Sequence, residues 1–479
     1  MTTEALAGLV FVPLVAGMVA MLLPARAAGV LVIAALALVP VLLWPVTLAV
    51  WHGGPVLVEL GGFGPPLGIV WRADPLALSM LWFTALVALL VSLHALAGFR
   101  PETAEGRRFW PQWPILIAAI NALYLSADLF NLYVTLELVT LGAVVLISVG
   151  SKSVAMIAAM RYLLLALMAS LFYLLATALI YGQTGTLDLY LAGERLQDGT
   201  LAAAALMLMI TGLLLKSAIF PLHMWLPAAH GNAPWSVSAI LSALVVKASL
   251  YIVLRVWFWT AVGIDTQMAA TFLGVLGAIA ILYGSLAALV QERLKMLIAY
   301  STVAQLGYVM LLFPLASTAA FRGVTMHLVA HGFAKAAMFL AAANILRALG
   351  HDRLRRMTGI DQKLPIDLAA FALAGVSIMG LPPSGGFLGK WLLLEAAWAR
   401  SGWGWMAVIV LGSLIAAAYV FRVAALSMFG SGRAGRVEVP RTLASMTALA
   451  LALVAIALGF AAAPFFALID RGLPPGMLP

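Results

Sequence analysis

Apolar residues run in blocks of roughly twenty along the chain, and short stretches between them hold most of the charge. A helix needs about 20 apolar residues to cross a bilayer. Fourteen such blocks are predicted, at roughly 5–23, 28–51, 75–98, 111–127, 129–149, 156–182, 201–226, 236–260, 268–290, 296–316, 322–348, 366–397, 404–429 and 441–469. Several contain interior prolines, and in two long runs these stand near a lysine: Pro221 in 201–226, Pro382 and Pro383 in 366–397. Proline removes a backbone hydrogen bond and kinks or breaks a helix. Broken helices at membrane depth occur where they line a cavity. The pattern predicts an all-α integral membrane fold with two broken helices.

Composition sharpens this. The 479 residues are 64% apolar and only 9% charged, against about 25% charged in soluble domains. Most of the exterior must therefore face lipid. The net charge of +9 points to membrane topology rather than to nucleic acid. With the N-terminus outside, loops after odd-numbered spans and their flanks hold 17 basic residues, among them Arg100, Lys152, Lys295, Arg433 and Arg436; the opposite side holds six, including Arg255. Both termini are thus predicted outside, in a bacterial or archaeal cytoplasmic membrane. The basic loop from Gly350 to Pro365 is read as a topology signal and a contact for partners. The first span lacks a basic leader and is read as a retained helix. There is no cysteine, which excludes iron–sulfur clusters, covalent haem and thiol chemistry. No nucleotide-binding glycine motif opens a helix, and no cofactor is expected.

Four lysines fall inside spans: Lys216, Lys247, Lys335 and Lys390, with one clearly internal carboxylate, Glu137. A charge near the bilayer centre costs about 3 kcal/mol or more. Such groups line hydrated paths or pair with one another. Lysine suits proton transfer, because burial and a carboxylate neighbour push its proton affinity in opposite directions. Glu137 and Lys216 lie at similar depth and are a candidate pair; a static ion pair is the alternative. Pro221 follows Lys216 and Pro382–Pro383 precede Lys390, about 170 residues apart. That recurrence suggests two related halves, as in transporters built from repeats, with ordinary proline kinking as the alternative. His327, His331 and Lys335 are spaced i, i+4, i+8 on one helix face, a titratable stripe. Zinc is disfavoured, since no HExxH motif or cysteine accompanies the histidines. Lys247 would be a stepping stone between Lys216 and the histidines. His230, in the predicted turn after the seventh span, is a candidate point of proton access from the cytoplasm. Ser217, Ser249, Ser301, Thr302, Gln305 and Tyr308 are polar enough to hold water nearby, or to act as packing glue.

Several stretches together resemble one family: Leu132 to Glu137; Lys216-Ser-Ala-Ile-Phe-Pro-Leu-His-Met-Trp-Leu-Pro-Ala-Ala-His; Ala233-Pro-Trp-Ser-Val-Ser-Ala through Lys247; Arg293-Leu-Lys-Met-Leu-Ile-Ala-Tyr-Ser; His327 to Lys335; and Gly380 to Lys390. The chain is similar to the proton-pumping antiporter-like subunits of complex I, of membrane-bound hydrogenases and of Mrp cation/proton antiporters. The resemblance implies fourteen helices with two inverted five-helix repeats. It divides the chain at 1–110 (helices 1–3), 111–260 (helices 4–8), 261–430 (helices 9–13) and 431–479 (helix 14). It implies that Glu137 and Lys216 form a switchable pair, that Lys247, the histidines and Lys335 form a hydrophilic axis, and that Lys390 faces one exit. Ala228 stands where the family usually has Asp, which weakens any acidic access group there. The terminal axis position is Lys390, not Glu, and no long lateral helix is expected before the end at Pro479. Length and lysine pattern lean toward the Mrp D-type branch.

The expected function is movement of protons, with Na+ or another cation as an open counter-ion, within a complex of other membrane subunits embedded in the lipid bilayer. A redox-driven pump subunit near a quinone module is the alternative. A quinone-binding subunit or a scaffold without transport is the alternative from another class. No bond-making catalytic residue and no resident metal are expected.

Overall fold

The computed structural model describes residues 2–66, 68–99, 103–150, 153–429 and 441–477. Arg100, Lys152, Arg433 and Arg436, counted above among the basic loop residues, lie outside the described residues. Ten helices among the described residues are long and apolar enough to cross a membrane.

The N-terminal helices are α1 (Thr2–Ala20), α2 (Ala25–Gly53) and α3 (Pro75–Gly98). Between α2 and α3 an antiparallel hairpin pairs β1 (Val56–Glu59) with β2 (Val70–Ala73). Then follow α4 (Ala104–Leu125), α5 (Leu129–Ser148), α6 (Ser153–Thr184), the short α7 (Leu189–Arg195), α8 (Thr200–Lys216) and α9 (Trp225–Asn232). A further span, Trp235–Thr260, consists of α10 (Trp235–Ile240), a π-helical turn (Leu241–Val245), α11 (Val246–Arg255) and a second π turn (Val256–Thr260). The rest are α12 (Gln267–Val290), α13 (Leu294–Met310), α14 (Thr318–Leu349), α15 (Pro365–Met379), α16 (Gly385–Ala399), α17 (Trp403–Met428), α18 (Thr442–Phe460) and α19 (Ala462–Asp470).

Local chemistry sets many of the boundaries. Asp74, Asp128, Ser317 and Ser384 cap α3, α5, α14 and α16 by accepting a backbone N–H with the side chain, which satisfies donors that the helix leaves free. Gly350 and Gly380 end α14 and α15 at φ of 76° and 80°, a left-handed conformation that favours glycine. The runs 201–226 and 366–397 are each two helices. The first parts after Lys216 and resumes at Trp225; the second parts after Met379 and resumes at Gly385.

Two spans are enclosed by protein on all sides. In Trp235–Thr260 and in α14, every residue of the most apolar window is buried, whereas every other spanning helix except α3 leaves more than half of its window outward. The outward residues are apolar, as Leu171, Met207, Phe272 and Leu414 illustrate. They make a surface fit for lipid or for neighbouring subunits.

Small residues bring helices close where large ones would hold them apart. A Cβ on Gly284 of α12 would lie 2.5 Å from the Ala304 nitrogen of α13, and one on Gly277 would lie 2.6 Å from the Gly307 carbonyl oxygen. Backbone sits opposite at both positions. Gly284→Leu is therefore expected to cost about 3 kcal/mol or more through forced separation of α12 and α13. The loss would be read as a fall in folded, monodisperse complex on size-exclusion chromatography.

The chain ends that follow α3, α5, α9, α12 and α14 gather on one face, where Gly98, Gly150, Asn232, Arg293 and Asp352 border a common cavity. On the opposite face, isolated bridges tie Trp71 to Ser126 and Asp128 to Asp188.

Three expectations are corrected here. Lys295, counted among loop cations, is buried in the first turn of α13. Arg255, counted on the opposite surface, is buried and forms a two-pronged ion pair with Asp74 at 2.5 and 2.7 Å. Glu137 is not alone as an internal carboxylate: Asp74 and Asp367 are more deeply buried.

Candidate functional site

Lys216 is the last residue of α8, and its ammonium points across to α5. Nζ donates to Glu137 Oε1 at 2.7 Å and to Thr140 Oγ1 at 3.0 Å. Glu137 and Thr140 are three apart on one helix face, so a single ammonium reaches both. Ser170 of α6 also donates to Glu137 Oε1. The lysine side chain is 3% exposed and the glutamate 17%. The break beyond Lys216 is tied back by Trp225, whose indole N–H donates to the Leu215 carbonyl at 2.9 Å.

From here polar groups continue inward. Ser217, next to Lys216, shares a 2.8 Å hydrogen bond with Ser249 of α11. Two residues before Ser249, Lys247 is wholly buried and donates to the Ser242 carbonyl at 2.7 Å. Ser242 lies in the first π turn, which holds this carbonyl five residues before the lysine; π turns often mark functional positions in helices. The Ser242 hydroxyl meets Thr302 Oγ1 of α13 at 2.9 Å. Thr302 donates to the Ile298 carbonyl at 3.1 Å, and that same carbonyl accepts from Lys335 Nζ at 3.0 Å. Lys335 also donates to Ser301 Oγ. Lys247 and Lys335 are thus joined by a chain of hydrogen-bonding groups.

One helix turn apart from Lys335 stand His331 and then His327. Their rings are parallel, with centroids 5.7 Å apart. His327 Nε2 lies 3.0 Å from the Gln305 carbonyl oxygen. A carbonyl only accepts, so Nε2 carries the hydrogen and Nδ1 is the free acceptor. Among the described residues, neither His331 nitrogen, nor His327 Nδ1, nor the Gln305 side-chain amide has a hydrogen-bond partner. Buried polar atoms of this kind are usually served by water. Tyr308 sits against His327 at 5.4 Å and under the Lys390 ammonium at 4.5 Å. Lys390 donates to the Ile378 and Met379 carbonyls at 2.8 and 3.3 Å, and to Ser413 Oγ at 3.2 Å. Those two carbonyls are at the C-terminal end of α15, where a cation complements the helix dipole.

Pro221 stands in the gap between α8 and α9, and Pro382 and Pro383 stand in the gap between α15 and α16. His230 differs from its expected place. It lies within α9 rather than in a surface turn, is fully buried, and stacks on Phe339 at 4.9 Å. Lys295 and Lys335 are both near enough to act on it electrostatically.

Sequence reading misses Lys295 and His94. Lys295 donates to the Ala233 carbonyl at 2.5 Å and lies over the Trp235 ring at 4.5 Å. Its place in a family-like stretch, Arg293-Leu-Lys-Met, is a signal that charge counting overrides. His94, inside an apolar run, gives the same signal as the other histidines but has no titratable neighbour at helical spacing.

A multi-pass membrane protein with a file of enclosed ammonium and imidazole groups between two interrupted helices is, by class, an ion-translocating subunit. The chain belongs to the NADH:quinone oxidoreductase/Mrp antiporter transmembrane family, whose model matches residues 126–416. It is 35% identical to the NADH-quinone oxidoreductase N subunit of Desulforudis audaxviator, over 78% of this chain and 75% of that one. It is 28% identical to the Na(+)/H(+) antiporter D subunit of Alkalihalophilus pseudofirmus, over 91% and 89%. Its fold matches a chain of the Mrp complex from Dietzia with TM-score 0.89 at 25% identity, covering 98% and 96%. It matches a chain of respiratory complex I from Thermus thermophilus with TM-score 0.76 at 26% identity, covering 97% and 98%. The chain is a membrane ion-translocating subunit of a multi-subunit complex, and other membrane subunits are its partners.

Proposed function

We propose that protons cross this chain along Glu137–Lys216, Lys247, Lys335, His331, His327 and Lys390, in exchange for Na+ or another cation within an Mrp-type complex. The observation that carries the route is the file of buried polar groups from the Glu137–Lys216 pair through Ser217 and Ser249 to Lys247, joined by hydrogen-bonding groups to Lys335 and followed by the parallel histidines and Lys390. A carboxylate that approaches or leaves Lys216 changes the proton affinity of the next lysine in line. The breaks at Pro221 and at Pro382–Pro383 supply the movable backbone. In this scheme a gradient or a partner drives the cycle.

The reading also includes fourteen crossings, inverted repeats over 111–260 and 261–430, flanking segments 1–110 and 431–479, and both termini outside a bacterial or archaeal cytoplasmic membrane. The shared cavity face carries the basic loop ends and is taken as cytoplasmic. The near full-length match to an antiporter D subunit favours cation exchange. The 35% identity to a quinone oxidoreductase subunit favours the second reading, a redox-driven pump. The two separate in vesicles holding the assembled complex and a pH dye. Proton movement driven by an imposed Na+ gradient supports exchange, and movement only on electron transfer to quinone supports the second reading. An intact complex that moves protons under neither condition overturns both.

A further inference from the structure

The route above leaves one buried polar cluster unused. His94 of α3 is 1% exposed, and its Nε2 lies 3.1 Å from Asn344 Oδ1 on α14. Asn344 Nδ2 donates to Asp367 Oδ1 at 2.7 Å, and Ser445 Oγ of α18 donates to Asp367 Oδ2 at 2.8 Å. With Nδ2 on Asp367, the Asn344 amide turns its oxygen toward His94. That oxygen only accepts, so His94 carries its hydrogen on Nε2 and its Nδ1 is the accepting nitrogen. Nδ1 faces Ser236 Oγ of α10 at 3.5 Å.

His94 also lines the cavity of about 460 Å³ on the shared face, together with Glu105, Arg293, Lys295, Arg347 and Asp352. Among the described residues, Asn232 lines it too, and Ser236 and Asn344 are the groups hydrogen-bonded to the His94 ring. Lys295 forms part of the wall, and the buried His230 lies within electrostatic reach of both Lys295 and Lys335.

We propose that this cavity is the proton intake of its face and that His94 Nδ1 is the group that accepts the proton there. The inference rests on the axis described under Proposed function and names its source. A hydrated proton transfers to Nδ1, the ring becomes imidazolium with Nε2–H retained, and water is left behind. Once the Lys295 ammonium has passed its own proton inward, the amine left behind takes the Nδ1 proton through cavity water, which restores the imidazole. Asn344 and Asp367 are positioning residues, because they hold the tautomer and touch no moving proton.

The test uses the assembled complex in dye-loaded vesicles. His94→Gln keeps a donor for Asn344 but has no proton-accepting nitrogen, so proton uptake should fall about tenfold or more. His94→Ala opens a space beside the cavity, and added imidazole should raise its rate about threefold or more. Asn344→Leu frees the tautomer and should shift the pH of half-maximal uptake by about half a unit or more. Native uptake by His94→Gln overturns the proposal, as does failure of imidazole to rescue a correctly assembled His94→Ala complex. If His94→Ala does not assemble, His94→Gln alone decides. An unchanged pH profile in Asn344→Leu overturns the positioning role. Lys216→Met keeps the two readings apart: if it is silent while His94→Gln is normal, only the intake fails.

Discussion

Lys216→Met should silence ion movement, by about 100-fold or more, in a complex that still assembles. The side chain keeps its length, so packing at the end of α8 survives. What is lost is the group bonded to Glu137 at 2.7 Å. Glu137→Gln should have a similar effect, because a neutral amide cannot modulate an ammonium. Breaking a buried pair costs up to about 3–5 kcal/mol, while replacing both partners by apolar residues is often neutral. The double variant Glu137→Leu/Lys216→Met therefore separates two roles. A static brace would regain both thermal stability and transport in the double variant. A switch regains stability and stays silent. Transport at the native rate in Lys216→Met would end the switch account at once.

The second large effect is expected at Lys335. This lysine is wholly buried and bonded to the Ile298 carbonyl and Ser301. Lys335→Met should stop transport about as completely as Lys216→Met. The sharper variant is Lys335→Arg. Guanidinium keeps the positive charge and the donors but does not release its proton in a protein. If Lys335 acts only as a fixed charge, the arginine variant should work. If protons pass through it, Lys335→Arg should be as silent as Lys335→Met, with loss again about 100-fold or more. Proton flux into vesicles, normalised to assembled complex, decides between them.

The regions around the axis are legible in sequence because their signals are local. Twenty apolar residues in a row announce a span, and a lysine within one stands out as a buried charge. The i, i+4, i+8 stripe of His327, His331 and Lys335 follows from helix geometry alone, and the gaps in the two long runs contain the prolines themselves. What escapes depends on residues distant in sequence. Arg255 reads as a loop cation until Asp74, 181 positions earlier, is brought against it. Lys295 reads as a topology signal until Ala233 and Trp235 fold over it. Asp367 reads as a polar residue in a helix's first turn, and only Asn344 and Ser445 enclose it. His230 reads as a turn residue because glycine, asparagine and proline follow it, yet α9 continues past it. The hairpin of β1 and β2 lacks a clear alternation, since its strands are only four residues each.

Lys390 also fastens together two severed pieces of helix, because its ammonium grips the carbonyls where α15 stops while its own backbone belongs to α16. On the proposed route the traffic runs through the fastener. Each departing proton removes one donor and the formal charge from that grip, and each arrival restores them. Cargo and clutch are then the same atom, and the joint tightens and slackens in step with the flow it carries.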